Sequence, residues 1–228
     1  SDNRALMESD PNYRARLLAA TGGNEALRRA WLEGDWDIVA GAFFSNWNPH
    51  RHVISPIPLP SHWMRFRSGD WGSARPFSFG WWAVVGEETT LSTGIILPVG
   101  CLIRYREWYG CKVDNAGQLL PNTGLKFHAE LVGERLAEME QYDPKLSYGV
   151  IDPAAFTEDG GPSIQERIYT GSKQMIIFIK ADNARVGRMG HLAGWDLLQS
   201  RLAGIDEQRP MIVTFSTCHH SIHTIPTL

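Results

Sequence analysis

The sequence is short of the features that would classify it quickly. Its three cysteines, Cys101, Cys111 and Cys218, form no C-x-x-C pair. That excludes a disulfide framework and a zinc site of the usual spacing, and fits a reduced, cytosolic protein. No run approaches the roughly 20 apolar residues needed to cross a bilayer, and no apolar signal segment opens the chain. Neither sign of charge dominates: 22 basic against 25 acidic residues leave a net charge of −3, so composition neither demands nor forbids a nucleic-acid partner. The Gly-x-x-x-x-Gly-Lys-Ser/Thr phosphate loop is missing, since Gly171-Ser-Lys173 lacks its context. So is the Gly-x-Ser-x-Gly turn that would present a nucleophilic serine. No internal repeat or low-complexity stretch occurs. The chain opens Ser-Asp-Asn without an initiator Met, which reads as a fragment of a longer protein.

What is present suffices for one cored domain of a 228-residue chain, with extra elements at its ends. Residues 1 to about 35 carry a helical stripe of Leu17, Leu18, Leu27, Ala30 and Trp31, broken at Gly22-Gly23. From Asp35 to Pro60 the prolines at 49, 56, 58 and 60 punctuate an aromatic, extended connector expected to lie against the body. The body follows. Met64–Asp70, Pro76–Val85 and Cys101–Trp108 read as three consecutive strands, hence an antiparallel meander. A polar loop leads to a helix over 128–141, with Leu131, Val132, Leu136 and Met139 at helical spacing. Then come a strand at Leu146–Ile151, a short helix around Ser163–Ile168 and a strand at Met175–Ile179. A helix over 189–203 and a strand at Met211–Phe215 complete the order. Three strands followed by β-α-β crossovers predict a mixed sheet with helices packed on both faces, the element order of a ribonuclease H-like fold.

Two acids sit where such a sheet binds ligands. Asp70 ends the first body strand, before Trp71-Gly72, and Asp152 ends the strand that follows the first body helix. If those strands are neighbours, both carboxylates emerge at one sheet edge. Close carboxylates repel unless a cation neutralises them, and oxygen-only ligands suit Mg²⁺ or Mn²⁺. Each acid also has a purely local reading: Asp70 as a turn residue and Asp152 as the cap before Pro153. Spacing leaves both readings open.

Several stretches resemble the large terminase subunits of tailed bacteriophages. They are Leu27-Arg-Arg-Ala-Trp-Leu-Glu-Gly-Asp-Trp-Asp37, Gly69-Asp-Trp-Gly-Ser-Ala-Arg-Pro-Phe-Ser-Phe-Gly-Trp-Trp82, Tyr148-Gly-Val-Ile-Asp-Pro-Ala-Ala-Phe156, Asp182-Asn-Ala-Arg-Val-Gly-Arg188, Trp195-Asp196 and Ser216-Thr-Cys218. They run in family order from near the start of the chain to near its end. The resemblance implies the tail of an ATPase domain and a linker over residues 1–60, and a ribonuclease H-like nuclease domain over 61–228. It implies an endonuclease that cuts concatemeric double-stranded DNA during packaging into procapsids. Asp70 and Asp152 correspond to the family's first and second catalytic, metal-binding aspartates, with two Mg²⁺ or Mn²⁺ ions in a complete site. The portal protein and the small terminase subunit are the implied partners, in the cytoplasm of the infected host. The family's third acid lies in a His-x-x-Asp-like segment of a helix after the final strand. The chain ends at Leu228 before such a segment, so an incomplete metal site is expected here. The alternative is a DNA-gripping and docking module that does not itself cut.

Other groups carry weaker signals. Arg185 and Arg188 lie in a loop where they would contact DNA phosphates, or else pair with a local acid such as Asp182. Arg104 and Arg106 alternate with Leu102, Ile103 and Tyr105 and are expected on one face of the third strand. Asp159 reads as an accessory acid or a solvated loop residue, and Trp71 as core or as a wall of a DNA cleft. His219, His220 and His223, expected near a strand end, have only Cys218 beside them at ligand spacing, which argues against structural zinc.

Overall fold

The structure is a computed structural model that describes residues 44, 46–116, 119–182 and 194–225. In chain order these form α1 (Pro49–His52), β1 (Val53–Ile54), β2 (Arg65–Asp70), β3 (Ser78–Val84), β4 (Thr89–Thr90), β5 (Ile96–Leu97), β6 (Leu102–Tyr109), β7 (Cys111–Val113) and β8 (Leu119–Gly124). They continue with α2 (Ala129–Glu140), β9 (Tyr148–Ile151), a 3₁₀ turn (Pro153–Phe156), α3 (Ile164–Gly171), β10 (Ile179–Lys180), α4 (Gly194–Ala203), β11 (Ile212–Phe215) and α5 (His219–Thr224). No helix among them is long and apolar enough to cross a membrane. The helical stripe proposed for residues 1–35 and the start of the helix proposed over 189–203 lie outside the described residues.

The main sheet has the order β1-β11-β6-β3-β2-β9-β10. β3 runs antiparallel to both β2 and β6, while β9, β10, β11 and β1 join by parallel ladders. Mixed sheet and helices on both faces match the expected architecture. The connector does more than lie against the body, because Val53 and Ile54 extend the sheet beside Thr214 and Phe215. Two hairpins, β4–β5 and β7–β8, stand where the sequence suggested only turns and a loop. Their strands are two to six residues long, too short for alternation to register.

One face of the sheet packs α2 and α3 against Phe79, Trp81 and Ile151 through Val132, Leu136 and Ile168, all fully buried. Burying each such large side chain contributes roughly 1.5–3 kcal/mol. The two helices touch backbone to backbone. A Cβ on Gly133 would sit 2.1 Å from the Ile168 carbonyl oxygen, so only glycine permits the approach. Ser163 and Glu166 close a capping box at the start of α3, satisfying donors the first turn leaves open. The other face carries α4 and α5 over Leu102, Ile212 and Trp82. Arg51 ties the connector to this layer by donating to the carbonyls of Leu202 and Ala203 at the end of α4 and of Asp206 beyond it. All three cysteines are free and buried.

A bulge in β6 corrects one expectation. Trp81 pairs with Arg106 but Trp82 pairs with Arg104, which leaves Tyr105 as the extra residue. The alternation therefore slips by one, and the two arginines lie on opposite faces. Arg106 stacks on Trp81 and donates to the Met139 carbonyl of α2, whereas Arg104 stacks on Trp82.

Candidate functional site

β2 and β9 are adjacent parallel strands in the register Phe66–Tyr148 through Gly69–Ile151. Asp70 and Asp152 are each the next residue onward. Both therefore leave the C-terminal edge of the sheet on the same face, one interstrand step of roughly 4.8 Å apart along the ladder. Helix α2 supplies the crossover that makes the two strands parallel, and without it the acids would leave opposite edges.

Asp152 is held in place by its own cap. Its Oδ1 accepts from the Ala154 N–H at 2.7 Å, and Pro153 opens the 3₁₀ turn that follows. Capping and site placement coincide in this residue, because the cap orients the carboxylate along the edge. The Asp70 carboxyl is pushed above the ordinary carboxylate range, first by partial burial and then by the negative charge of Asp152. The second cause places the two acids within electrostatic reach of each other. The turn after Asp70 is braced by the β7–β8 hairpin. Gly124 donates to the Ala74 carbonyl at 2.8 Å, and a Cβ on Gly124 would sit 2.3 Å from the Ser73 oxygen.

The remaining candidates fall in different places. Trp71 stacks on Phe77 and packs against the core cluster, so it supports the edge from within. Asp159 is exposed beside Gly160, past the 3₁₀ turn. Asp182 lies just beyond β10, whose neighbour Ala181 donates to the Ile151 carbonyl at 2.9 Å, which brings a further acid to the same sheet edge. Arg185 and Arg188 lie outside the described residues. His219, His220 and His223 sit on helix α5, which corrects the expected strand end. Among the described residues no three His, Cys, Asp or Glu side chains converge on a point that would hold a metal ion.

Sequence reasoning passed over Ser78, Glu107 and Tyr109. Ser78 pairs with Asp70 on one side and Tyr109 on the other. The side chain of Glu107, 7% exposed, accepts from the N–H groups of His220 and Ser221 at 2.7 and 3.0 Å. A carboxylate in the middle of a strand, opposite Gly80, was the available signal. Its partner is 113 residues away in the chain and invisible to local pattern.

No family model matches the chain, and no curated protein does. Solved structures do. The large terminase of a thermophilic bacteriophage, in complex with ADP, aligns over 82% of this chain and 36% of its own, with a TM-score of 0.52 and 16% identity. The same terminase in complex with ATP-gamma-S aligns over 82% and 37%, again at a TM-score of 0.52 and 16% identity. The chain spans little more than a third of the terminases it matches. Its fold is that of this part of a phage large terminase.

Proposed function

We propose that this chain is the metal-dependent nuclease part of a viral DNA-packaging large terminase, built on a ribonuclease H-like sheet. The observation that carries the reading is the placement of Asp70 and Asp152 side by side at the ends of neighbouring parallel strands. The donor set fits a hard divalent cation. Both ligating groups are carboxylates, and Asp70 is raised first by partial burial and then by the charge of Asp152, two costs of its anion that such a cation would offset. Asp70 and Asp152 would hold Mg²⁺ or Mn²⁺, which when bound lowers the pKa of water and offsets charge on the phosphate.

The chain's own residues do the rest. Asp152, clamped by the Ala154 N–H, keeps one carboxylate at a constant angle to the edge. The braced 72–76 turn keeps Asp70 from following substrate outward. Water adds to phosphorus, the phosphorus–oxygen bond to the leaving sugar breaks, and that oxygen departs with a proton. The substrate is double-stranded DNA, and Arg185 and Arg188 are proposed to contact its phosphates. The portal protein and small terminase subunit are the proposed assembly partners, in the host cytoplasm.

A second reading, a DNA-gripping module that does not cut, is favoured by one observation: no third acid joins Asp70 and Asp152 in a metal-binding cluster among the described residues. Plasmid nicking with Mn²⁺ decides between them. Wild-type nicking that falls at least a hundredfold in Asp70→Ala and Asp152→Asn, with unchanged melting, supports the nuclease. Equal cleavage by both variants would sink it. Duplex binding without any nicking supports the gripping module instead.

A further inference from the structure

The row that holds the two carboxylates does not stop at Asp70. Asp70 pairs with Ser78 on β3, and Ser78 pairs with Tyr109 on β6. The Tyr109 ring in turn meets the His220 ring with centroids 4.7 Å apart. Residues directly opposite each other in a ladder share a sheet face. Asp152, Asp70, Ser78 and Tyr109 therefore stand in line across the strands on one face, with His220 at the far end. From Asp70 to Tyr109 is two interstrand steps, roughly 10 Å.

His220 is fixed there by Glu107, two residues before Tyr109 on the same face of β6. The buried Glu107 carboxylate accepts from the backbone N–H groups of His220 and Ser221 and from the Ser221 hydroxyl. The Arg104 guanidinium lies 3.9 Å from it and over the Trp82 ring. These bonds hold the His220 backbone beside β6, and displacing it would leave a buried carboxylate without its donors, which is costly. On that fixed backbone the imidazole lies against the Tyr109 ring at the edge.

Chemical character changes along the row. It is anionic at Asp152 and Asp70, then hydroxyl, phenol and imidazole. Burial keeps the Tyr109 phenol above its ordinary pKa. Burial also lowers the His220 pKa, Glu107 opposing and His219, His223 and Arg104 adding to the effect. Near neutral pH both are uncharged hydrogen-bond donors. Along the duplex axis one DNA strand rises roughly 3.4 Å per nucleotide, so a row of about 10 Å spans a few nucleotides of one strand.

The geometry points to Ser78, Tyr109 and His220 as a phosphate track for one DNA strand. Its backbone crosses the sheet edge at right angles to the strands. One phosphate lies at the carboxylate pair, and the phosphates to one side accept from the Tyr109 phenol and the His220 imidazole. This rests on the nuclease reading and adds a direction of substrate approach, from the carboxylates across β3 toward β6 and α5.

The test is fluorescence anisotropy of the 228-residue chain with a labelled DNA duplex in EDTA, so that binding is read without cleavage. Tyr109→Phe and His220→Ala are each expected to weaken binding about three- to tenfold, with unchanged melting. The slope of log K against log salt stays at its wild-type value, because a lost neutral donor releases no counterion. His220→Gln, which keeps a side-chain donor, recovers part of the loss and decides the matter if His220→Ala does not fold. Binding within twofold of wild type in both Tyr109→Phe and His220→Gln, together with wild-type binding by any folded His220→Ala, overturns the track, while wild-type nicking leaves the nuclease reading standing. A salt slope reduced by about one also overturns it, since His220 would then act as a cation. A wild-type chain that neither binds the duplex nor nicks plasmid overturns both.

Discussion

Arg67 and Glu140 form an ion pair whose side chains are 5% and 12% exposed, with nitrogen and oxygen 2.5 Å apart. Arg67 lies on β2 three residues before Asp70. It also donates to the Ile177 carbonyl at 2.9 Å and stacks on Phe178, while Glu140, at the end of α2, accepts from Trp81 Nε1 at 2.8 Å. Glu140→Gln keeps an acceptor for Trp81 and removes the charge. A buried guanidinium is then left uncompensated, at a cost of about 3–5 kcal/mol. Arg67→Met strands the carboxylate instead, at similar cost. The double variant Arg67→Met/Glu140→Gln has no buried charge and still satisfies Trp81. Its principal debt is the orphaned Ile177 carbonyl, about 1–3 kcal/mol. The singles should therefore sum to far more than the double, with a coupling of several kcal/mol. Urea unfolding followed by tryptophan fluorescence measures all four corners of the cycle. Glu140→Gln within about 1 kcal/mol of wild type, or a double variant equal to the sum of the singles, would refute the reasoning.

Two further outcomes concern pH. Because the folded-state pKa of Asp70 is raised, its charged form costs stability above that pKa, and the cost vanishes below the unfolded value of 3.8. Asp70→Asn should therefore melt slightly higher than wild type at pH 7 without divalent ion. The gap should close toward pH 3.8, and an equal or lower melting temperature at pH 7 contradicts the account by burial and like charge. His52 is buried and neutral, accepting the Asn48 N–H at Nδ1 and lying 2.9 Å from the Leu202 carbonyl at Nε2, and burial lowers its pKa to about 4. Its contribution is intact above pH 6.5 and is lost as pH falls through 4, by about 3 kcal/mol in all. Stability measured from pH 7 to 4 should show this loss in wild type and not in His52→Gln; parallel curves rule it out.

Local pattern was enough for elements long and periodic enough to carry it. The strand pair before and after Trp71, the helix with Val132 and Leu136 at its buried stripe, and the short helix that opens at Ser163 all stand within a few residues of where the sequence reads them. The strand read at Met175–Ile179 is instead β10, Ile179–Lys180, preceded by an extended run in which Ile176 and Phe178 are buried and Met175 and Ile177 exposed. Alternation tracks burial there, but ladder hydrogen bonds form only where β9 runs alongside. The two hairpins and α5 escaped because each is too short for a period to show. The bulge at Tyr105 escaped because one inserted residue leaves the apolar count unchanged while reversing every side chain beyond it.

The carboxylate pair divides in the same way. By itself the sequence determined that Asp70 and Asp152 each end a strand, because an acid followed by Trp71-Gly72 or by Pro153 cannot continue one comfortably. Whether they meet depended on strand order and register, which are set by the α2 crossover packing Val132 and Leu136 on one face of the sheet. Only the tertiary structure put them side by side, and only it extended their row through Ser78 and Tyr109 to His220. Apart from the hairpin pair Asp70–Ser78, those contacts join residues tens to more than a hundred positions apart, and the free energy that selects them comes from burying a common core, which no window of sequence contains.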